Sequence, residues 1–114
     1  MAYKSKIDQA NASKRHYRAN KKKIKARSRQ RNIKQTEINR HYVTQLKTNS
    51  QCIDCGEDNP LVLDFDHVRG EKIKCISDMV RGAYSLKTLQ NEIDKCEIRC
   101  SNCHRIATHK RHHE

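Results

Sequence analysis

Cys52-Ile53-Asp54-Cys55 and Cys100-Ser101-Asn102-Cys103 are two Cys-x-x-Cys knuckles with 44 residues, 56–99, between them. Together they can supply four thiolates to one tetrahedral zinc. Zinc with four sulfur ligands keeps no open position, so such an ion is structural rather than catalytic. The insertion is longer than that of a simple zinc ribbon and is therefore expected to carry function. The second knuckle runs straight into His104, and the first is followed by a short apolar stretch ending in Asp66-His67. A zinc that closes the knuckles draws Asp66, His67 and His104 toward one another.

The rest of the composition explains why a metal is needed. Only 34% of the 114 residues are hydrophobic, with one Phe and no Trp. A chain with so little to bury usually depends on a staple. Six Cys could also form disulfides, and one Cys-x-x-Cys could be a redox site. No signal-like apolar leader and no membrane-spanning run is visible, so the expectation is a cytosolic protein with no membrane partner. In a reducing compartment paired knuckles read as metal ligands. Cys75 and Cys96 are left over and are expected to be small buried hydrophobes.

Charge is distributed unevenly. Residues 1–50 hold 15 Lys and Arg against Asp8 and Glu37, and residues 51–114 hold 10 against 11 acidic residues, so the formal +12 divides into +13 and −1. That asymmetry implies two regions: a basic helical arm over 1–50 and a zinc-knuckle module over 51–114. A polyanion is the expected partner, with nucleic acid first. Lys21, Lys22, Lys23, Lys25, Arg27, Arg29 and Arg31 are the candidate phosphate contacts of the arm, joined by Arg105 in the module. The bland alternative is a solvated run that only aids solubility.

From Met1 to Cys55 there is neither Gly nor Pro, and good helix formers dominate. Residues 8–34 are helix-competent, with Asn11 or Ser13 as cap, but lack an apolar stripe. Like-charge repulsion leaves this part frayed until phosphates neutralise it. From Thr36, Ile38, Tyr42, Val43 and Leu46 recur at helical spacing and are expected to pack on the zinc module, with the helix ending near Asn49-Ser50. Residues 61–67 read as a strand, 73–76 as extended, 77–81 as one helical turn closed by Gly82, and 85–95 as a helix capped by Ser85. Residues 96–99 are extended, and the chain from Ser101 is helical. The fold class is thus a small, zinc-stabilised α+β domain with a basic helical extension.

Asp66-His67 at a strand end carries the sharper chemical signal. A carboxylate suits a hard divalent cation, and a neutral imidazole suits a general base near pH 7. Adjacent strand residues point to opposite faces, so the strand must end or twist if both serve one site.

These residues resemble a known family. Cys52-Ile53-Asp54-Cys55, Leu63-Asp64-Phe65-Asp66-His67, Ile76-Ser77-Asp78-Met79-Val80, and the run from Glu92 through Lys95, Cys96, Cys100 and Cys103 to His104-Arg105 look like a small, phage-type HNH endonuclease with zinc knuckles. The resemblance covers residues 52–108. It implies a ββα-metal finger, with two short strands and a helix around one divalent ion. It implies that His67 is the general base, that Asp66 and His104 are ligands of a catalytic Mg²⁺ or Mn²⁺, and that duplex DNA is hydrolysed to 5′-phosphate and 3′-hydroxyl ends. A phage origin would place the protein in the bacterial host's cytoplasm. Lys95 stands where the family has its middle Asn. A protonated lysine cannot ligate a cation, so Lys95 is a candidate contact to the scissile phosphate, with Asn91 or Asn102 as substitutes for the Asn. His109, His112 and His113 read as a solvated basic tail. Two other classes stay open: a non-catalytic zinc-finger DNA-binding protein with a decayed site, and an RNA-binding zinc ribbon.

Overall fold

Strand β1, Leu63–His67, pairs antiparallel with strand β2, Cys96–Cys100, in a two-stranded sheet. This computed structural model describes residues 5–113. Its elements run α1 (Lys6–Thr48), a 3-10 turn (Pro60–Val62), β1, α2 (Ile76–Arg81), α3 (Leu86–Ile93), β2 and α4 (Ser101–His113). The protein is a small, mostly helical α+β chain. It divides into two units, Met1–Ile33 and Lys34–Glu114.

The first unit is helical from Lys6, with Ser5, not Asn11 or Ser13, at its start: the Ser5 hydroxyl accepts the Asp8 amide at 3.2 Å. The helix is continuous rather than frayed, and its apolar residues form no stripe. Lys21, Lys22, Lys23, Lys25, Arg27, Arg29 and Arg31 are all exposed. At 100° per residue they surround the axis instead of marking one face.

In the second unit the register sorts the sheet into two faces. Leu63 opposes Cys100, Phe65 opposes Ile98 and His67 opposes Cys96, while Asp64 opposes Arg99 and Asp66 opposes Glu97. Period-two alternation therefore gives one apolar face and one ionic face. The apolar face meets two small cores. At one end Leu63 and Cys100 are buried with Cys52, flanked by Ile98 and Cys103. At the other, Phe65 and Cys96 pack on Ile76, Met79, Val80, Leu89 and Ile93. Tyr42, Val43 and Leu46 of α1 dock on this second core. They pack on the α2–α3 cluster and not on the knuckles, and Ile38 of the same periodic set is 48% exposed.

Local chemistry moved several boundaries. The strand expected over 61–67 begins only at Leu63. The Asn59 side chain accepts the Leu61 amide at 3.0 Å and Pro60 enters a 3-10 turn, leaving Leu61 90% exposed. Residues 73–75 form no strand, because the Ile73 amide is drawn to a buried carboxylate, Glu92 Oε2, at 3.0 Å. Gly82 closes α2 at φ −78°, and the left-handed residue is the next one, Ala83, at φ 55°. Gly82 is needed for close approach: a Cβ there would lie 2.8 Å from the Tyr84 ring and 3.1 Å from the Asp78 carbonyl. Ser85 caps α3 by accepting the Thr88 amide at 3.2 Å. Cys75 is exposed ahead of α2, contrary to the buried place expected of it, while Cys96 is half-buried.

Candidate functional site

The knuckles are built by backbone hydrogen bonds. The Gly56 amide, in a residue at φ +79°, donates to the Cys52 carbonyl at 2.9 Å and tightens the first turn. The Ile53 amide donates to the Ile98 carbonyl at 2.9 Å and ties that turn to β2. The second knuckle spans the end of β2 and the first turn of α4, where the Cys103 amide points at the Cys100 sulfur, 3.4 Å away. The four sulfurs of Cys52, Cys55, Cys100 and Cys103 lie within 4.8 Å of one another. Cys55 and Cys100 sulfurs are 3.7 Å apart. Tetrahedral zinc with bonds of about 2.3 Å sets its sulfurs about 3.8 Å apart, whereas a disulfide needs about 2.05 Å. The donor set fits a structural metal ion such as zinc, and all six cysteines are free thiols. Among the described residues it is the only group of three or more metal-ligating side chains this close.

Ionisation within the cluster is uneven. Burial opposes the Cys52 thiolate, but the amides of Cys100, Cys55 and Asp54 bring its pKa down to about 6. The Glu57 amide favours a Cys55 thiolate, yet the Cys52 and Cys100 sulfurs outweigh it and hold that thiol above its usual range. Cys100 and Cys55 push Cys103 up further still. Four thiolates cannot share this volume without a cation to offset them.

On the ionic face of the sheet, His104 from the first turn of α4 lies between two carboxylates. Its Nδ1 is 3.2 Å from Asp64 Oδ2, and its Nε2 is 3.4 Å from Asp66 Oδ1. Asp66 is 2% exposed. Its other oxygen accepts Arg99 Nη1 at 2.8 Å and also Arg111 of α4. Arg99 is shared with Asp54 at 2.7 Å and Glu97 at 2.7 Å, and Asp54 with Asp66 holds its guanidinium above the usual range against the effect of burial. A network in which each ion has several partners avoids leaving a buried charge alone.

His67 points the other way. Strand β1 stays regular through its last residue, so the expected twist that would unite Asp66 and His67 is absent. His67 Nε2 lies 3.1 Å from Glu92 Oε2, and Glu92 is only 1% exposed. The Lys95 ammonium sits 2.8 Å from the other Glu92 oxygen and donates to the Glu71 carbonyl at 2.7 Å. Burial favours the neutral acid, but Lys95, the Ile73 amide and His67 together hold the Glu92 carboxyl below its usual range. The Lys95 carbonyl accepts the amides of Val68 and Arg69 at 2.9 and 3.1 Å. Lys95, the candidate contact to the scissile phosphate, thus holds Glu92 and the loop that follows His67.

An open groove of about 580 Å³ is lined by both His67 and His104, with Asp64, Arg40, Lys47 and Lys72. Asp66 is not among its lining residues; Asp64 is the aspartate that shares the groove with His67. Asp64, Glu92, Arg99 and Arg111 join the site without any motif to mark them. Two sequence signals point to them: Asp64 is two residues before Asp66, hence on the same face, and Glu92 is three before Lys95, hence able to pair with it on a helix. Arg105 is exposed on α4 and lines a second groove with His104, His109 and Asp64. No described helix is long and apolar enough to cross a membrane. The chain matches no protein-family model, no curated protein and no solved structure.

Proposed function

We propose that this protein is a metal-dependent endonuclease of the HNH type that hydrolyses phosphodiester bonds in duplex DNA. The observation that carries the reading is the convergence of His67, His104 and Asp64 in one groove with cationic Arg40, Lys47 and Lys72. Two imidazoles of different partnership, beside cations able to seat phosphates, suit phosphodiester hydrolysis better than passive binding. Strands β1 and β2 followed by α4, with α2 and α3 between the strands and two of the four clustered cysteines at the β2–α4 junction, suit a ββα-metal finger.

Asp66 and His104, with Asp64 beside them, would hold a Mg²⁺-class ion. Their facing atoms, His104 Nε2 and Asp66 Oδ1, lie 3.4 Å apart, and an imidazole nitrogen with a carboxylate oxygen would suit such an ion. When bound, that ion supplies charge stabilisation to the transition state and the leaving oxygen. The residues of the chain do the rest. His67 accepts a proton from the attacking water. Arg40, Lys47 and Lys72 seat the phosphates flanking the scissile one. The exposed cations of α1 and Arg105 add sequence-independent grip on the backbone.

Supercoiled plasmid incubated with purified protein and Mg²⁺ or Mn²⁺ should be converted to nicked or linear forms. His67→Ala should abolish this while keeping bound zinc and DNA retardation. A variant that cuts at the parental rate removes His67 from its role.

A second reading has one observation in its favour. Arg99 and Arg111 both hold Asp66, as a purely structural ion cluster would. It is a zinc-finger DNA- or RNA-binding protein without catalysis. Retarded nucleic acid with no cleavage under any divalent ion would favour it.

A further inference from the structure

We propose that Glu92 is the positioning residue of His67: it holds the ring as the Nε2–H tautomer and so makes Nδ1 the atom that accepts the water proton. The proposal deepens the nuclease reading and rests on it for its catalytic consequence, but not for its structural one. Glu92 belongs to α3 and sits against the apolar cluster of Leu89 and Ile93, where an aliphatic side chain would be buried at no electrostatic cost. Instead a carboxylate is there, 1% exposed and fully engaged. Lys95 Nζ donates to Oε1 at 2.8 Å, and the Ile73 amide donates to Oε2 at 3.0 Å. Both donors favour the ionised acid, which has no proton of its own to give.

The contact of 3.1 Å between Oε2 and His67 Nε2 therefore has one polarity: the ring donates. In a neutral imidazole a proton on Nε2 leaves Nδ1 with a lone pair. Only Nε2 is engaged among the described residues, and the ring lines the groove. Lys95 completes the device from two sides. Its ammonium fixes Glu92, and its carbonyl fixes the Val68 and Arg69 amides just after His67.

In the hydrolytic step the water O–H bond breaks and its proton goes to the Nδ1 lone pair. The electron pair of that bond forms the new O–P bond, and the P–O3′ bond breaks with its pair on the leaving oxygen. The imidazolium so formed is offset by the Glu92 carboxylate, as an orienting carboxylate does beside other catalytic histidines.

Long-range ¹H–¹⁵N spectra of the zinc-loaded full chain at pH 8 report the tautomer of each histidine. Wild-type His67 should be the Nε2–H form, and Glu92→Ala should shift it toward a mixture. In parallel, plasmid nicking by Glu92→Ala should lose about 10-fold or more in kcat, because a general-base imidazole without its orienting carboxylate no longer holds one tautomer, with KM for DNA unchanged. Glu92→Gln, whose carbonyl can still accept from Nε2–H, should recover part of the rate. Wild-type His67 in the Nδ1–H form, or Glu92→Ala nicking at the parental rate, overturns the proposal. If Glu92→Ala fails to fold, the wild-type spectrum still decides. A wild-type protein that never nicks DNA ends the nuclease reading, while the spectrum continues to test the positioning of the ring.

Discussion

Six cysteines occupy three chemical situations. Four face one another in the cluster, Cys75 is exposed ahead of α2, and Cys96 is half-buried beside the α2–α3 core. Burial, and next the charges of Glu92 and Asp66, push the Cys96 thiol up to about 11. A raised thiol pKa means less thiolate at any lower pH, and the thiolate is the reactive form. At pH 8 an ordinary thiol is roughly one-quarter ionised, whereas one titrating near 11 is ionised to about one part in a thousand. In the zinc-loaded protein, iodoacetamide at pH 8 should label Cys75 first and leave Cys96 almost untouched until the pH approaches 11. Peptide mapping by mass spectrometry reads the order directly, and equal labelling of the two would contradict it. Asp64 and Asp66 show the same dependence on surroundings. Two residues apart on one strand face, one lines an open groove and the other is buried under two arginines.

At the scale of elements, α1 is one helix with two characters. Its earlier part is polar all round, and its later part docks through Tyr42, Val43 and Leu46. Just ahead of those apolar positions lies Asn39, 0% exposed. It accepts from Gln35 Nε2 at 2.9 Å and donates to the Tyr84 carbonyl at 2.9 Å. That carbonyl belongs to the tight link between α2 and α3, next to the positive-φ Ala83. Asn39 thus locks the helix to a turn that apolar contacts cannot specify. Asn39→Ala removes the donor and should cost about 1–3 kcal/mol. Leu89→Ala, at a fully buried position, should cost about 2–5 kcal/mol. Ile38→Ala, at a half-exposed site on the same stretch of α1, should stay within about 0.5 kcal/mol. Urea titration of the three variants checks the ranking, and an Asn39→Ala effect as small as that of Ile38→Ala would reduce the lock to an incidental contact.

For the whole chain, a metal held by the four-cysteine cluster would do the work of a second hydrophobic core. Its buried members are Cys52, Leu63 and Cys100, which apart from sulfur leaves one leucine. Such a patch cannot hold knuckle, sheet and α4 together by apolar burial alone. Binding free energy at structural zinc sites, of order 10–16 kcal/mol, is largely folding free energy. The purified protein should carry one zinc per chain. A strong chelator at neutral pH should lower its melting temperature and expose the amides of Ile53 and Gly56 to hydrogen exchange. Cys100→Ser should reproduce that loss and Cys75→Ser should not. Unchanged melting after the metal is stripped would leave the staple without a purpose.

Spacing and composition alone made much of this legible. The two knuckles, the charge division, the Ser85 cap and the helical periodicity of Tyr42, Val43 and Leu46 are local or additive properties, so the linear chain displays them. Where those apolar residues dock, why β1 starts at Leu63, and which aspartate meets which histidine depend on competition between distant groups for the same donors and the same volume. His67 illustrates the division best. Its place at a strand end follows from the alternation of Leu63, Phe65 and His67, whereas its partner, Glu92, lies 25 residues away on a helix. Only the packing of α3 under the sheet, with Lys95 and the Ile73 amide supplying the protons that an ionised carboxylate requires, could decide that pairing.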